Sequence, residues 1–230
     1  KVAMSLDGGT ALADGQSQWI TGASARTDGH LLRARAGAIL TGCGTVLHDD
    51  PLLTVRHPVF EQTGLPQPLR VVVDSHLRTP PHARLFSVPG PVLLAHSQTD
   101  ARMHPGELTS LATGSSFNGK RSVASASGQF SNEVMSATTA TILPGYSGDT
   151  TTLALPGNDG RVDLARLLHH LAAEHAINDV HVEAGAQLIG ALLQLNLIDE
   201  LVCYMAPDLL GDEARGVATL PGITRLSQKI

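Results

Sequence analysis

The chain has 230 residues and a formal net charge of −5; 42% of it is hydrophobic, 16% charged and 3% aromatic. That much apolar material excludes disorder throughout, and the negative balance excludes a generic nucleic-acid binder, which is basic. Cys43 and Cys203 cannot build a disulfide framework, no apolar run reaches the roughly 18 residues of a membrane span, and no signal peptide is visible, so a reduced, cytoplasmic setting is expected.

Residues 2–6 read as a short strand, broken by Asp7, Gly8 and Gly9 and followed by a glycine-rich loop to Trp19. Thr21 or Ser24 can cap a helix running to Arg35, because a short oxygen-bearing side chain satisfies free amides of the first turn. A strand over 37–41 turns at Gly42 and Gly44 into a short helix over 45–48, which Asp49, Asp50 and Pro51 end. Residues 70–74 and 91–96 have the length and apolar character of buried strands. Residues 109–152 hold 17 Ser or Thr among 44, with neither a helical nor a strand period, and read as a polar surface insertion. Order resumes at Leu153. A helix over 163–175 sets Leu164, Leu167, Leu168 and Leu171 on one face. A strand over 180–183 follows, then a helix over 185–195 that is apolar almost all round and so expected to be buried. A strand over 201–206, apolar on both faces, is expected at the centre of its sheet. Alternating strands and helices imply one α/β domain over 1–230 with a largely parallel sheet.

Four places could carry chemistry. Gly42-Cys43-Gly44 follows a strand as a dinucleotide turn does, but the third glycine of that turn falls on Leu47 and no acid ends a strand about 20 residues on, so it reads as a structural turn. At Glu183-Ala184-Gly185 a strand ends in a carboxylate and a glycine opens a helix, whose free amides and dipole suit an anion; an ordinary strand–helix turn has the same pattern. Asp49, Asp50 and Arg56 flank a short apolar stretch on the side of a strand–turn unit where ligands collect, though a capped turn with a solvated arginine is the plainer reading. Arg26, His30 and Arg33 share one helix face, where two fixed cations can hold a phosphate, against the commoner reading of a solvated face. The eleven histidines include no zinc-ligand spacing, so no metal site is expected.

Several stretches then match one family in the same order. They are Val2-Ala3-Met4-Ser5-Leu6-Asp7-Gly8 with Gly15-Gln16-Ser17-Gln18-Trp19-Ile20, Arg33-Ala34, and the run from Ala38 to Gly42 continuing from Thr45 through Asp49, Asp50 and Pro51 to Arg56. Next come Val71-Val72-Val73-Asp74-Ser75 with Leu77-Arg78, then Val182-Glu183-Ala184-Gly185, and finally Leu197 to Leu201 through Ala206-Pro207-Asp208-Leu209-Leu210-Gly211, ending at Leu220 to Leu226. The set closely resembles the reductase domain of the bifunctional riboflavin-biosynthesis deaminase–reductases, and covers nearly everything but the insertion.

The resemblance implies a dihydrofolate-reductase-like α/β fold: a mixed, mainly parallel sheet with helices on both faces. It implies reduction of the ribosyl group of 5-amino-6-(5-phosphoribosylamino)uracil to the ribitylamino product, with NADPH as cofactor. By residue-by-residue carry-over, Ser17, Arg33, Leu53, Arg56 and Glu183 line the substrate site. Ala3, Trp19, Thr45, Asp49, Ser75, Gly185, Ala186, Gln187, Leu188, Ile189, Gly190 and Ala191 line the cofactor site. Arg33 and Arg56 would clamp the 5-phosphate, Ser75 with Arg78 would meet the cofactor 2′-phosphate, and Asp49 or Glu183 would be the general acid that opens the sugar. A homodimer is implied, and a fused deaminase in a longer chain. No zinc deaminase is present here, because His181-Val182-Glu183 lies in a strand and lacks a Pro-Cys-x-x-Cys partner.

The sequence departs from the family at Gly9, where a basic residue is common, and at Gln187, where Thr is common. The family continues into two closing strands after Leu226, so the chain is expected to begin inside its first strand and to stop before its last two. The alternatives are a reductase of the same fold acting on the 2,5-diamino-6-ribosylaminopyrimidinone, and a catalytically silent nucleotide-binding or dimerisation domain.

Overall fold

Alternation of apolar side chains along the central strands feeds two hydrophobic cores, one on each face of a parallel sheet. The structure, a computed structural model, describes residues 1–17, 20–98, 146 and 149–230. In chain order the elements are β1 (Val2–Met4), β2 (Gly9–Ala11), α1 (Ala23–Arg35), β3 (Ala38–Gly42), α2 (Cys43–Asp49), α3 (Pro58–Glu61), β4 (Leu69–Val73), β5 (Val92–His96), β6 (Thr150–Ala154), α4 (Leu164–His175), β7 (Val180–Val182), α5 (Ala186–Gln194), β8 (Cys203–Met205) and β9 (Arg215–Gly216). Five strands form one sheet in the order β6-β5-β4-β3-β7, every neighbouring pair parallel.

On one face, Leu40, Val71, Leu93 and Leu153 pack with Leu164, Leu167 and Leu171 of α4 and Leu192 of α5. On the other, Val72 and Leu94 pack with Val46 of α2 and with Ala83, Leu85 and Phe86. This is the α/β architecture the sequence implies. One charged side chain enters the second face. Arg70 is fully buried and its guanidinium donates to the carbonyls of Leu85, Val88, Pro89 and Gly90, which fixes residues 85–90 against the sheet. The stripe on α4 is as expected, and the Asp163 side chain caps it by accepting the Arg166 amide at 3.0 Å.

Elsewhere the structure departs from expectation. Neither Thr21 nor Ser24 caps α1; Gly22 stands at the cap without a side-chain bond, and the Thr21 carbonyl accepts Arg26 instead. The polar stretch expected to reach residue 152 ends earlier, because residues 150–152 already pair with β5 in β6. Thr150 and Thr152 are buried there, since threonine is β-branched and fits a pleated strand whatever the local polarity. The rest of the expected insertion lies outside the described residues, apart from Tyr146 and Asp149. The strand expected at a sheet centre, β8, pairs in parallel only with β1 among the described residues, and Cys203 and Met205 are exposed. Apolar residues on both faces of a strand do not specify a second neighbour. The helix expected to be fully buried, α5, hides Ile189, Gly190 and Leu192 and exposes Gln187 and Gln194. Leu188, Ala191 and Leu192 pack against the core and Gly190 lies under Thr219, which leaves the two glutamines to solvent.

Two short strands escaped the sequence altogether: β2 and β9 form an antiparallel pair. This pair accounts for Gly9, whose Cβ would come within 2.9 Å of the Ala214 Cβ and 3.0 Å of a Leu210 methyl. A basic side chain could stand there only if residues 210–214 moved.

Candidate functional site

The sheet order sets the location of the site. From β3 the strands run outward to β4, β5 and β6, whereas β7 lies on the other side of β3. The crevice at the carboxyl ends of strands flanking such a reversal is where open α/β sheets collect ligands. Two helices leave the sheet at this crevice, α2 directly after β3 and α5 three residues after β7. They meet through Gly42, where a Cβ would lie 3.5 Å from a Leu188 methyl.

Glu183 follows β7 and is held from every side. Its amide donates to the Leu40 carbonyl at 2.9 Å, and its own carbonyl accepts the Thr41 hydroxyl at 2.6 Å. The carboxylate takes both a 2.7 Å bond from Arg33 Nε and a 2.7 Å bond from Arg33 Nη2, a bidentate pair joining residues 150 apart in sequence. His181 Nε2 lies 3.0 Å from the same carboxylate. Burial pushes the carboxyl up, but the bonds from Arg33 and His181 outweigh it and hold Glu183 well below the usual carboxylate range. A carboxylate so fixed is ionised and is a poor proton donor. Of the two acids expected to open the sugar, Glu183 is therefore the one this geometry disfavours. Arg33 is likewise not a free cation: its remaining Nη1 donates to the Thr54 carbonyl at 2.8 Å.

Asp49 has the opposite character. It is the last residue of α2, and desolvation pushes its carboxyl up, against the smaller pull of His48 and Arg215. The chain then turns sharply. Asp50 and Leu53 both adopt left-handed backbone, at φ 39° and 51°, and Asp50 Oδ1 accepts the Arg84 amide at 2.7 Å.

The start of α5 is open. Gly185 stands at its cap with no side-chain bond, and a Cβ on it would meet nothing within 4 Å. The first-turn amides therefore lack the usual side-chain partner and suit an anion. Of the seven residues expected to contact a cofactor here, Ile189 already donates its amide to the Gly185 carbonyl at 3.2 Å, and Gly190 is buried under another segment, its Cβ position 2.0 Å from the Thr219 carbonyl oxygen. The amides of the open helix start are then those of Gly185, Ala186, Gln187 and Leu188.

The other expected residues fall around these. Thr45 is in the first turn of α2. Ser75 follows β4, and its hydroxyl accepts the Val162 amide at 3.2 Å, which leaves its own proton to donate. Ala3 lies in β1 opposite Tyr204. Leu53 is buried and Arg56 exposed. Ser17 is half-buried and has no hydrogen bond among the described residues. Trp19 lies outside the described residues. A cleft of about 240 Å³ opens between Ile20, Thr21 and Ser24 near the start of α1 and Tyr204, Ala206 and Pro207 at the end of β8. Sequence reasoning passed over His181, seen only as half of a missing zinc motif, and left His30 on a solvated helix face.

Comparison with known proteins agrees with this architecture. The family model described as the RibD C-terminal domain matches residues 1–229. The riboflavin biosynthesis protein RibD of Escherichia coli (strain K12) is 39% identical over 99% of this chain and 52% of its own length. A 5-amino-6-(5-phosphoribosylamino)uracil reductase of Buchnera aphidicola subsp. Acyrthosiphon pisum (strain APS) is 27% identical over 95% of this chain and 89% of its own. Among solved structures, Acinetobacter baumannii RibD superposes with a TM-score of 0.69 at 31% identity, covering 99% of this chain and 50% of that one. The Saccharomyces riboflavin biosynthesis reductase Rib7 superposes with a TM-score of 0.62 at 19% identity, covering 96% and 76%, a likeness of fold. The chain spans about half the length of the RibD relatives it matches.

Proposed function

The chain belongs to the RibD C-terminal domain family, and on that premise we propose that it reduces the ribosyl group of 5-amino-6-(5-phosphoribosylamino)uracil with NADPH. The supporting observation is the pairing, across one crevice, of an uncapped helix start with a half-buried, ionised carboxylate.

The donor set at the crevice fits a dinucleotide. The amides of Ala186, Gln187 and Leu188 would take the pyrophosphate, with Thr45 and Ser75 as hydroxyl donors; Ser75 and Arg78 would meet the 2′-phosphate. Ala3 and Trp19 would border the nicotinamide. When bound, NADPH supplies the hydride that reduces the sugar carbon.

The protein's own residues do the rest. Glu183, fixed by Arg33 and His181, accepts hydrogen bonds from the substrate without changing charge. Asp49 holds the proton that the ribose ring oxygen needs when the sugar opens, a role that a raised pKa favours. Arg56 faces the 5-phosphate, and Ser17 and Leu53 line the same site. The proposal includes a cytoplasmic homodimer, with the deaminase carried by the other half of a RibD-length chain. No described helix is long and apolar enough to cross a membrane.

The test is direct. The purified protein is given NADPH and either the uracil substrate or its undeaminated 2,5-diamino counterpart, and NADPH absorbance is followed. Turnover of the uracil compound is expected. Turnover of only the diamino compound transfers the assignment to the related reductase, and NADPH binding with no turnover of either supports a silent nucleotide-binding domain. Asp49→Asn is expected to lower kcat by about 10²–10⁴-fold; near-normal turnover at saturating substrate removes Asp49 as the acid.

A further inference from the structure

Arg33 spends three guanidinium nitrogens inside the protein, two on Glu183 and one on the Thr54 carbonyl. One N–H on each terminal nitrogen is left over, on a cation already paired with Glu183, so the phosphate end of a substrate gains from further donors. One turn earlier on α1, His30 Nδ1 accepts the Arg56 backbone amide at 3.2 Å. An imidazole whose Nδ1 accepts carries its proton on Nε2 when neutral, so the bond fixes His30 as an Nε2–H donor. Burial, then Arg33 and Arg56, push His30 down to about 4, with His57 adding to the effect and Glu183 opposing it. The ring is neutral under physiological conditions, and the bond to Arg56 persists there.

The segment that carries Arg56 is tied at successive residues. The Thr54 carbonyl is held by Arg33, Val55 exchanges bonds of 2.7 and 3.1 Å with the Gln67 side chain, and the Arg56 amide is held by His30. The Arg56 side chain itself is exposed and makes no ion pair among the described residues. A rigid backbone thus presents one uncommitted cation beside one fixed neutral donor.

We propose that His30 is a positioning residue for a phosphomonoester: its Nδ1 fixes Arg56 through the backbone, and its Nε2–H adds a donor to those of the Arg56 guanidinium. The inference rests on the reading that the substrate carries a 5-phosphate, but it is tested without the reductase reaction.

Ribose 5-phosphate and ribose are titrated by calorimetry into the wild-type protein, His30→Leu and His30→Gln. The wild type should prefer the phosphorylated sugar. His30→Leu should weaken ribose 5-phosphate about tenfold, the scale of one lost hydrogen bond, and leave ribose unchanged. His30→Gln, whose amide oxygen can still accept the Arg56 amide, should restore most of the affinity. No phosphate preference in the wild type, an equal loss for both sugars, or an unchanged His30→Leu overturns the inference. Should His30→Leu fail to fold, nitrogen-15 NMR of the wild-type ring decides: a neutral Nε2–H tautomer at neutral pH supports the inference, and a charged ring or Nδ1–H tautomer overturns it. In turnover, His30→Leu should raise KM at near-normal kcat, and a loss confined to kcat overturns a positioning role. A wild type that binds ribose 5-phosphate yet reduces no pyrimidine would sink the functional reading and leave this one standing.

Discussion

The five-stranded sheet and the β1–β8 pair use similar side chains in opposite surroundings. Leu93 in β5 is 1% exposed, whereas Met205 at the end of β8 is 55% exposed. Both segments are apolar runs bounded by polar residues. What separates them is the number of layers: β5 has a strand on each side and packed material on both faces, and β8 has one strand beside it among the described residues. The two regions touch where the Lys1 nitrogen donates to the Val182 carbonyl at 3.0 Å, one residue before Glu183. Glu183 thus lies next to the junction between a strongly built region and a weakly built one.

Four substitutions probe that contrast. The largest effect is expected for Leu167→Ala, which empties a fully buried position between α4 and the sheet and should cost about 2–5 kcal/mol in urea unfolding. Gly190→Ala comes next, at about 1–3 kcal/mol, because its new methyl collides with the Thr219 backbone and must push α5 from residues 217–221. A neutral result there would mean that this segment yields easily and belongs with the weak region.

Glu183→Gln tests the junction itself. Its folded pKa is depressed, so its stabilising contribution is complete above the ordinary carboxylate value of 4.5 and is lost as pH falls from there toward the depressed folded value. Wild-type stability should drop through that acid window and the variant should lack this part of the drop. At neutral pH the variant should be about 1–3 kcal/mol less stable, since Arg33 is left without its partner. The smallest effect is expected for Met205→Ala, within about 0.5 kcal/mol. A loss comparable to that of Leu167→Ala would show that β8 is covered in solution and would erase the contrast.

The legible parts of the fold are those with local causes. The strands at 37–41, 70–74 and 91–96 and the Asp163-capped helix follow from alternation, run length and capping, all of which lie within a few residues of one another. The illegible parts have distant causes. Nothing near Leu201 indicates that β8 will find β1, and nothing near Gly9 announces Ala214 across the β2–β9 pair. The site divides in the same way. The open start of α5 is visible in Glu183-Ala184-Gly185, but the Arg33–Glu183 pair spans 150 positions and no spacing rule reaches that far. The same distance hid the commitment of Arg33, which from its helix face alone looked free to bind a ligand.

Leu53 combines two demands that seldom coincide. Its backbone is left-handed at φ 51° and its side chain is 2% exposed. The conformation costs about 1–2 kcal/mol for a residue with a Cβ, while full burial of a leucine contributes about 1.5–3 kcal/mol. Glycine would relieve the first and forfeit the second, and valine or isoleucine would keep burial while adding a branch where the backbone has least room for one. In a library randomised at this codon, apolar residues without a branch at Cβ would survive selection and valine and isoleucine would be purged, a pattern of tolerance unlike that of an ordinary core leucine.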